Sequence, residues 1–184
     1  MALVIVLLVI AALYAYMVFE TTWLKIERLD FSKKGTGLRI MHLTDLHIYM
    51  TRISAERIRN AVDAEDPDVI LITGDYINSP LHASEFLRYL RTFAKGRRTI
   101  ICFGNHDYKA FSSNSAGLRN FIREIEALGV EVLINRNVTV EKDGKKYNII
   151  GFDDLRRGHP DVAKAMEGCI PDAPKIAITH NPDL

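Results

Sequence analysis

The sequence of 184 residues predicts an α/β fold preceded by one long apolar helix. Between residues 38 and 128, short apolar runs alternate with segments whose apolar residues recur at helical spacing. The runs are apolar almost without interruption, as is typical of strands buried on both faces of a sheet. Apolar residues make up 48% of the chain and charged residues 26%, which is typical of globular proteins and argues against disorder.

The first element is a helix over residues 2–19, a stretch without a charged residue. At about 1.5 Å per residue it would be roughly 27 Å long, close to the thickness of the bilayer hydrocarbon core. We interpret it as an uncleaved transmembrane anchor, with Tyr14, Tyr16 and Trp23 suited to the aromatic belt. The alternatives are a buried helix and a cleaved signal peptide, although a signal peptide would have a basic start and a shorter apolar stretch.

Basic residues follow the apolar stretch, and none precedes it: Lys25, Arg28, Lys33 and Lys34. The positive-inside rule therefore predicts a single-pass protein of the cell membrane whose main domain is cytoplasmic. Residues 20–37 are predicted to be a linker with "KKGTG" as its flexible end, and residues 38–184 to be the folded domain.

Within that domain, apolar runs predict buried strands at 38–44, 68–73 and 98–103. Helices are predicted between them and after them, at 53–65, 83–95 and 115–128, because their apolar residues share one face. The helix at 115–128 shows this spacing in Leu118, Phe121, Ile122, Ile125 and Leu128.

The last third of the chain predicts strands at 130–135, 138–142 and 146–152. Asp143-Gly144 is a two-residue turn signal and predicts a hairpin between the second and third of them. A short helix near 161–166 and a strand at 175–179 complete the prediction.

Metal-binding residue types follow four of the predicted strands. They are Asp45 and His47 after the first, Asp75 after the second, Asn105, His106 and Asp107 after the third, and His180 after the last. Ligands of α/β folds bind beyond the carboxyl ends of the strands, so these residues predict one site. Carboxylate, imidazole and amide ligands together suit Mn²⁺, Fe or Zn²⁺.

Local geometry supports the same prediction. If residues 45–47 are extended, the side chains of Asp45 and His47 point to the same side and can reach one ion. Gly74 and Gly104 are expected to let the backbone turn sharply where it leaves the sheet.

Each of these signals alone has a simpler explanation. A single Asp after a strand is usually a turn or helix-cap residue, and His180 alone would more often be structural. The run from Gly104 to Asp107 is the specific signal, because an Asn-centred turn explains Asn105 but not its neighbours. His42, inside the first strand, is interpreted as structural.

Charge and cysteine content exclude other classes of site. Lys and Arg total 24 against 23 Asp and Glu, so no excess of positive charge indicates a nucleic-acid partner. Cys102 and Cys169 lack Cys-x-x-Cys spacing and are predicted to be buried thiols, neither a disulfide nor a zinc pair.

The motifs "DLH", "GD", "GNHD" and the later His resemble those of the calcineurin-like metallophosphoesterases. The longer stretches "LTDLHI", "LITGDYIN", "FGNHD", "GFDD" and "THNPD" resemble the membrane-associated bacterial and archaeal branch of that family. The resemblance covers residues 38–184 and implies an α-β-β-α sandwich of two mixed sheets flanked by helices. It also implies two divalent ions, Mn²⁺, Fe²⁺ or Fe³⁺, or Zn²⁺, between the strand ends.

The resemblance implies a role for each residue that matches a family motif. By it, Asp45 and His47 hold one ion, Asp75 bridges both, Asn105 and His180 hold the second, and His106 stabilises or protonates the leaving-group oxygen. The implied reaction is hydrolysis of a phosphodiester or of a lipid-linked pyrophosphate. A soluble DNA nuclease is disfavoured by the neutral charge and the anchor.

The sequence departs from the family pattern in two places. The family usually has an Asp three residues after the bridging Asp, paired with the catalytic histidine, where this chain has Asn78. Asp107 is the candidate substitute, with a turn or cap role as its alternative. The family's closing Gly-His-x-His motif is not among the 184 residues, so we expect a sandwich incomplete at its C-terminus, weak metal binding and little turnover.

Two further interpretations stay open. Arg156, Arg157 and His159 lie in "RRGHPD" and either contact a substrate phosphate or headgroup at the rim of the site or form a solvated basic turn. The alternative to an enzyme is a truncated, membrane-tethered and catalytically inactive remnant or fragment that binds metal weakly.

Overall fold

The computed structural model describes residues 1–31 and 37–183. The predictions for Lys33, Lys34 and the flexible end of the linker, and for Leu184 at the end of the domain, lie outside these residues. Helix α1 (Ala2–Glu20) has no buried residue. By length and composition it can cross a membrane.

The first sheet contains four strands in the order β1-β2-β3-β4, and every neighbouring pair is parallel. The strands are β1 (Ile40–Thr44), β2 (Val69–Thr73), β3 (Thr99–Cys102) and β4 (Glu131–Val132). Helices α2 (Ala55–Glu65), α3 (Ala83–Ala94) and α5 (Ser115–Glu126) connect them. Helical crossovers return the chain in the same direction, which makes this sheet parallel throughout its described part.

The second sheet is mixed, with β5 (Arg136–Lys142) antiparallel to β6 (Lys145–Gly151) and β6 parallel to β7 (Lys175–Ile178). The turn between β5 and β6 is Asp143-Gly144, with φ values of 51° and 74°, which confirms the predicted hairpin. Helix α6 (Val162–Met166) contacts this sheet, because Asn137 Nδ2 donates to the Ala165 carbonyl at 2.7 Å.

Strand β2 shows how the layers stack. Ile70 and Ile72 belong to the apolar core shared with helices α2, α3 and α5, whereas Val69 and Leu71 belong to a second core. That second core also includes Val140, Ile149 and Ile178 of the other sheet. Successive side chains of a strand point to opposite faces, so β2 lies between helices on one side and the second sheet on the other. The α-β-β-α sandwich is confirmed.

The observed elements differ from the predicted ones in three places. Strand β4 has two residues rather than the predicted 130–135, since only Glu131 and Val132 pair in register with β3, although the Leu133 N–H still donates to the Ile101 carbonyl at 2.8 Å. Helix α4 (Asn105–Ala110) and a 3₁₀ turn over Pro80–His82 were not predicted, since neither has an apolar period. Cys102 is buried as predicted, whereas Cys169 is only partly buried, and both are free thiols.

The predicted linker is docked at its start. Arg57 Nη1 in the first turn of α2 donates to the Thr22 carbonyl at 2.5 Å. Arg28 Nε donates to Glu65 Oε2 near the end of α2 at 2.9 Å. Leu24 and Ile26 line a small cavity together with β1 and α2. The residues from Thr22 to Arg28 therefore lie along one side of the domain.

Replacing Phe86 by alanine is expected to lower the free energy of unfolding by about 3–5 kcal/mol, because the cavity cannot be refilled. Phe86 is fully buried and stacks on Tyr76, with ring centroids 4.7 Å apart. Urea denaturation in detergent measures the change. The control Val162→Ala, at a side chain 55% exposed, should stay within about 0.5 kcal/mol of the parent. Equal denaturation midpoints for the two variants would contradict the burial of Phe86 in the core.

Candidate metal centre

The candidate centre begins where the loops after β1 and β2 are hydrogen-bonded to each other. The Asp45 N–H donates to the Gly74 carbonyl at 3.3 Å, and the His47 N–H donates to the Asp75 carbonyl at 3.0 Å. The Ile48 N–H donates to the Tyr76 carbonyl at 2.9 Å. The sequence-predicted ligands of the two loops are thereby brought to one place.

Asp75 is at the middle of the site. Its Oδ2 atom lies 3.8 Å from His47 Nε2 and 3.4 Å from His180 Nε2. Its Oδ1 atom accepts the backbone N–H of His106 at 3.0 Å. The Asp75 side chain is only 6% exposed. Buried carboxylates are usually paired with a positive charge or bound to a metal ion.

Among the residues that the structure describes, two groups of side chains could each hold a metal ion, and Asp75 belongs to both. In each group, ligand atoms of all three side chains lie within 4.8 Å of one another. One group is His47, Asp75 and His106, and the other is Asp45, Asp75 and His180. Asp45 Oδ1 also lies 3.8 Å from His47 Nε2. All five residues of the two groups were singled out from the sequence.

The hydrogen bonds of the histidines fit a metal site. His180 Nδ1 lies 3.0 Å from the Thr73 carbonyl, so the protonated nitrogen faces the carbonyl and Nε2 stays free to bind an ion. In the described part of the chain, Nδ1 of His47 and Nδ1 of His106 are buried without a hydrogen-bond partner. Buried polar atoms are normally paired, and a catalytic role, a water molecule or an ion can account for an exception. The residues present therefore fit a divalent ion.

The backbone at the site is not extended, contrary to the prediction for residues 45–47. Asp45, His47 and Asp75 have φ values of 51°, 36° and 57°, in the left-handed region. Non-glycine residues there cost of order 1–3 kcal/mol each and persist only where the surroundings hold them. The side chains of Asp45 and His47 still lie close together. They are brought together by hydrogen bonds between the two loops and not by strand geometry.

Asp107 is one of the groups that stabilise this backbone conformation. Its Oδ2 atom accepts the N–H groups of Asp75 at 2.8 Å and Gly104 at 3.0 Å. Its Oδ1 atom accepts those of Tyr76 at 2.9 Å and Ile77 at 3.1 Å. Burial raises the pKa of Asp107 to about 7, while these donors act in the opposite direction. Asp107 therefore caps helix α4 and stabilises the loop after β2. None of the hydrogen bonds described for its side chain goes to His106, so it does not replace the Asp that pairs with the histidine in the family.

Gly74 and Gly104 allow two loops to touch. A Cβ on Gly74 would lie 2.6 Å from the Gly104 nitrogen and 2.8 Å from His180 Cγ. A Cβ on Gly104 would lie 2.3 Å from Asp75 Oδ1. Gly74 also has a φ of 73°, as the predicted sharp turn requires. Gly104 has a φ of −109°, which any residue adopts, so its requirement is close contact and not a turn.

The remaining predicted residues near His106 are less constrained. Asn105 is partly buried and is the first residue of α4. Asn78 Oδ1 is buried and has no hydrogen-bond partner among the described residues. Asn78 Oδ1 and His106 Nδ1 are therefore not hydrogen-bonded to each other, and the roles of both asparagines stay predictions.

The predicted rim residues are exposed, and buried carboxylates hold their backbone. Arg156, Arg157 and His159 have exposed side chains. The N–H groups of Arg156 and Arg157 donate to Asp154 Oδ1 at 3.0 and 2.6 Å. The His159 N–H donates to Asp153 Oδ2 at 2.8 Å. These two carboxylates fix the shape of the loop.

Asp153 and Tyr108 were given no role from the sequence. The Tyr108 hydroxyl donates to Asp153, which links α4 to the loop at the rim. Burial and this carboxylate raise the pKa of Tyr108. The signal for Asp153 was present in "GFDD", but only the fold shows its contact with Tyr108.

The fold and the site together define an α/β sandwich with a candidate divalent-metal centre at the strand ends. The profile of the family described as calcineurin-like phosphoesterase matches residues 38–184. The chain belongs to this family, and the resemblance noted in its motifs is confirmed.

Its relatives include proteins named for phosphoester chemistry and for membranes. Phosphodiesterase YaeI of Escherichia coli (strain K12) is 29% identical over 180 residues, covering 92% of this chain and 64% of YaeI. UDP-2,3-diacylglucosamine pyrophosphatase LpxG of Chlamydia muridarum is 26% identical, covering 89% of this chain and 64% of LpxG. A transmembrane protein with metallophosphoesterase domain from Danio rerio is 30% identical, and the match covers 79% of this chain and 35% of the relative. The chain spans less than two thirds of the length of each relative.

Asp107→Asn is expected to lower the free energy of unfolding by about 2 kcal/mol or more, since an amide nitrogen would face two N–H donors. Urea denaturation in metal-free buffer measures this without any contribution from metal binding. Asp172→Asn, at an exposed aspartate, is the control for loss of one negative charge. Parent-like stability of Asp107→Asn would show that the four N–H contacts are unimportant.

Proposed function

We propose that this chain binds two divalent metal ions that share Asp75 and hydrolyses phosphoesters. The observation that supports this best is the membership of Asp75 in both groups of metal-ligating side chains. A carboxylate has two oxygens and can bind one ion with each, which keeps two like-charged ions close together. The family membership supports hydrolysis as the reaction class.

In this proposal, Asp45 and His47 bind one ion and Asn105 and His180 bind the other. This assignment follows the family resemblance and differs from the two geometric groups, in which His47 lies with His106 and Asp45 with His180. Divalent ions held there, Mn²⁺, Fe or Zn²⁺, would activate water as the nucleophile and neutralise charge on the phosphoryl oxygens. His180 is suited to its part because the Thr73 carbonyl orients its ring. The Asp107 contacts hold Asp75 in the conformation that this role needs.

His106 is proposed to act on the substrate without binding an ion. Its backbone N–H is fixed to Asp75 Oδ1, and its ring lies edge-on to the His47 ring with centroids 5.3 Å apart. From that position the imidazole can donate a hydrogen bond or a proton to the leaving-group oxygen. Arg156, Arg157 and His159 are proposed to contact the phosphate or headgroup at the rim.

The proposed substrate is a phosphodiester or a lipid-linked pyrophosphate. The names of YaeI, a phosphodiesterase, and of LpxG, a pyrophosphatase of a diacylglucosamine nucleotide, support these two classes. The apolar helix and the relative named a transmembrane protein indicate membrane association. We propose residues 2–19 as a spanning anchor, 20–37 as the connection and 38–184 as the catalytic domain, on the cytoplasmic side of the cell membrane.

The purified chain in detergent should bind Mn²⁺ and hydrolyse bis(p-nitrophenyl) phosphate slowly. Asp75→Asn should weaken Mn²⁺ binding at least about tenfold in calorimetry, because both ions lose a ligand. It should also abolish the hydrolysis, as should EDTA. Asp172→Asn is the matched control and should retain both properties.

The outcomes separate an enzyme from a metal-binding protein. Mn²⁺ binding that Asp75→Asn weakens, without hydrolysis, would support the non-catalytic alternative for these residues. Hydrolysis that survives EDTA would contradict the metal-dependent mechanism. Failure to bind Mn²⁺, Fe²⁺ or Zn²⁺ would contradict the proposed centre itself.

The orientation has its own test. A cysteine placed at the exposed Asp172, in a Cys169→Ser background, should not react with a membrane-impermeant maleimide in intact spheroplasts. It should react once the membrane is permeabilised. Labelling of intact spheroplasts would place the domain on the opposite side of the membrane.

A further inference from the structure

We infer that the mouth of the candidate metal centre is held against the surface of the membrane, with Tyr49, Met50 and Leu81 in contact with the lipid interface. These three residues are called the apolar rim below. The inference rests on the proposed anchor and deepens the proposed function, because it assigns a lipid surface as the partner of the site.

The first observation is where the anchor meets the domain. Trp23 lies against Phe19 at the end of α1, with ring centroids 5.5 Å apart, at the position of an interfacial aromatic residue. Its neighbour Thr22 accepts a hydrogen bond from Arg57 in the first turn of α2. Helix α2 begins just after the loop that leaves the carboxyl end of β1. The anchor therefore reaches the domain at the end of the sheet that carries the site.

The second observation fixes the direction of the domain. Arg28 contacts Glu65, at the last residue of α2, whereas Thr22 contacts its first turn. Helix α2 has 11 residues, about 16 Å at 1.5 Å per residue, so the two contacts are well separated along the domain. Two separated contacts limit the rotation of the domain about the anchor, although the Arg28 side chain is largely exposed. The carboxyl ends of the strands consequently face the bilayer.

The third observation is the apolar rim itself. The exposed fractions of Tyr49, Met50 and Leu81 are 40%, 61% and 88%. Tyr49 stacks on His82, with ring centroids 5.2 Å apart, and its edge meets His47 at 6.0 Å. The rim thus joins the loop that carries His47 to the turn that follows Asp75.

The rim also lies near the point where the anchor meets the domain. Met50 is four residues before Ser54, the N-cap of α2, so it is within about 14 Å of the α2 start that meets Thr22. Apolar side chains gain free energy when lipid replaces water around them. Arg52, which is exposed two residues after Met50, is placed for anionic headgroups.

The partner chemistry follows from this placement. A phosphate that reaches the metal centre across the rim comes from the headgroup layer of the membrane in which the chain is anchored. The substrate class favoured by the rim is therefore a lipid-borne phosphoester that stays in the bilayer while its headgroup enters the site.

Depth-dependent quenching tests the inference with the full chain in phosphatidylcholine–phosphatidylglycerol vesicles. Cys169→Ser removes the partly buried thiol, and burial raises the pKa of Cys102 to about 12, so that thiol does not react. An NBD fluorophore is attached to a cysteine in Met50→Cys or Leu81→Cys. Met166→Cys is the control, because it is 40% exposed but lies on α6 against the second sheet.

Spin-labelled lipids should quench the fluorophore at positions 50 and 81 about twofold or more relative to position 166, as expected for interfacial residues. Trp23 is the only tryptophan, so its quenching reports insertion of the anchor in the same sample. Quenching of Trp23 without stronger quenching at 50 and 81 would overturn the inference. Absence of Trp23 quenching would overturn it together with the anchor.

A second variant tests the contacts that set the direction. Arg28→Ala combined with Arg57→Ala should reduce quenching at positions 50 and 81 to the level at 166. Arg59→Ala is the matched control, since Arg59 pairs with Asp63 and the Lys95 carbonyl instead. Unchanged quenching in the double variant would contradict the assignment. Neither quenching measurement requires bound metal or hydrolysis. Failure of the proposed reaction would therefore appear only in the Mn²⁺-binding and hydrolysis assays.

Discussion

The carboxylate of Asp107 is the interaction on which the candidate centre depends. Its two oxygens accept four backbone N–H groups, three from the loop after β2 and one from the end of β3. One buried side chain thereby fixes two loops that would otherwise move independently. It also holds Asp75 in a left-handed conformation that the residue would not adopt on its own. The position of Asp75 is therefore set by a group outside the proposed ligand set.

Contact between Gly74 and Gly104 complements this interaction. Both glycines lie so close to neighbouring atoms that a methyl group would collide with backbone or with the side chain of Asp75 or His180. The space they leave is used by His180, which follows β7 in the second sheet. The sandwich thus contributes to the site from both of its layers, and packing between the sheets influences the distance between Asp75 and His180.

Apolar runs and polar strand ends are local signals, and they predicted the α/β class and the residues that meet at the strand ends. The sandwich of two sheets was implied by the family resemblance. The sequence did not predict helix α4, whose start depends on Asp107 accepting the Gly104 N–H. Nor did it predict the left-handed backbone at Asp45 and His47, which is set by hydrogen bonds to the β2 loop. The contact between Tyr108 and Asp153 spans 45 positions and carries no periodic signal. What the sequence left open was decided by contacts between distant segments.

If the anchor spans a membrane as proposed, the docking of Thr22 and Arg28 onto α2 has a consequence for kinetics. A site fixed beside a bilayer encounters lipids by lateral diffusion, and its encounter rate depends on molecules per unit area. Diluting the lipid target with inert lipid would slow the reaction even at constant bulk molarity, whereas diluting the suspension with buffer would not. Saturation for such a protein is expressed as a mole fraction within the membrane.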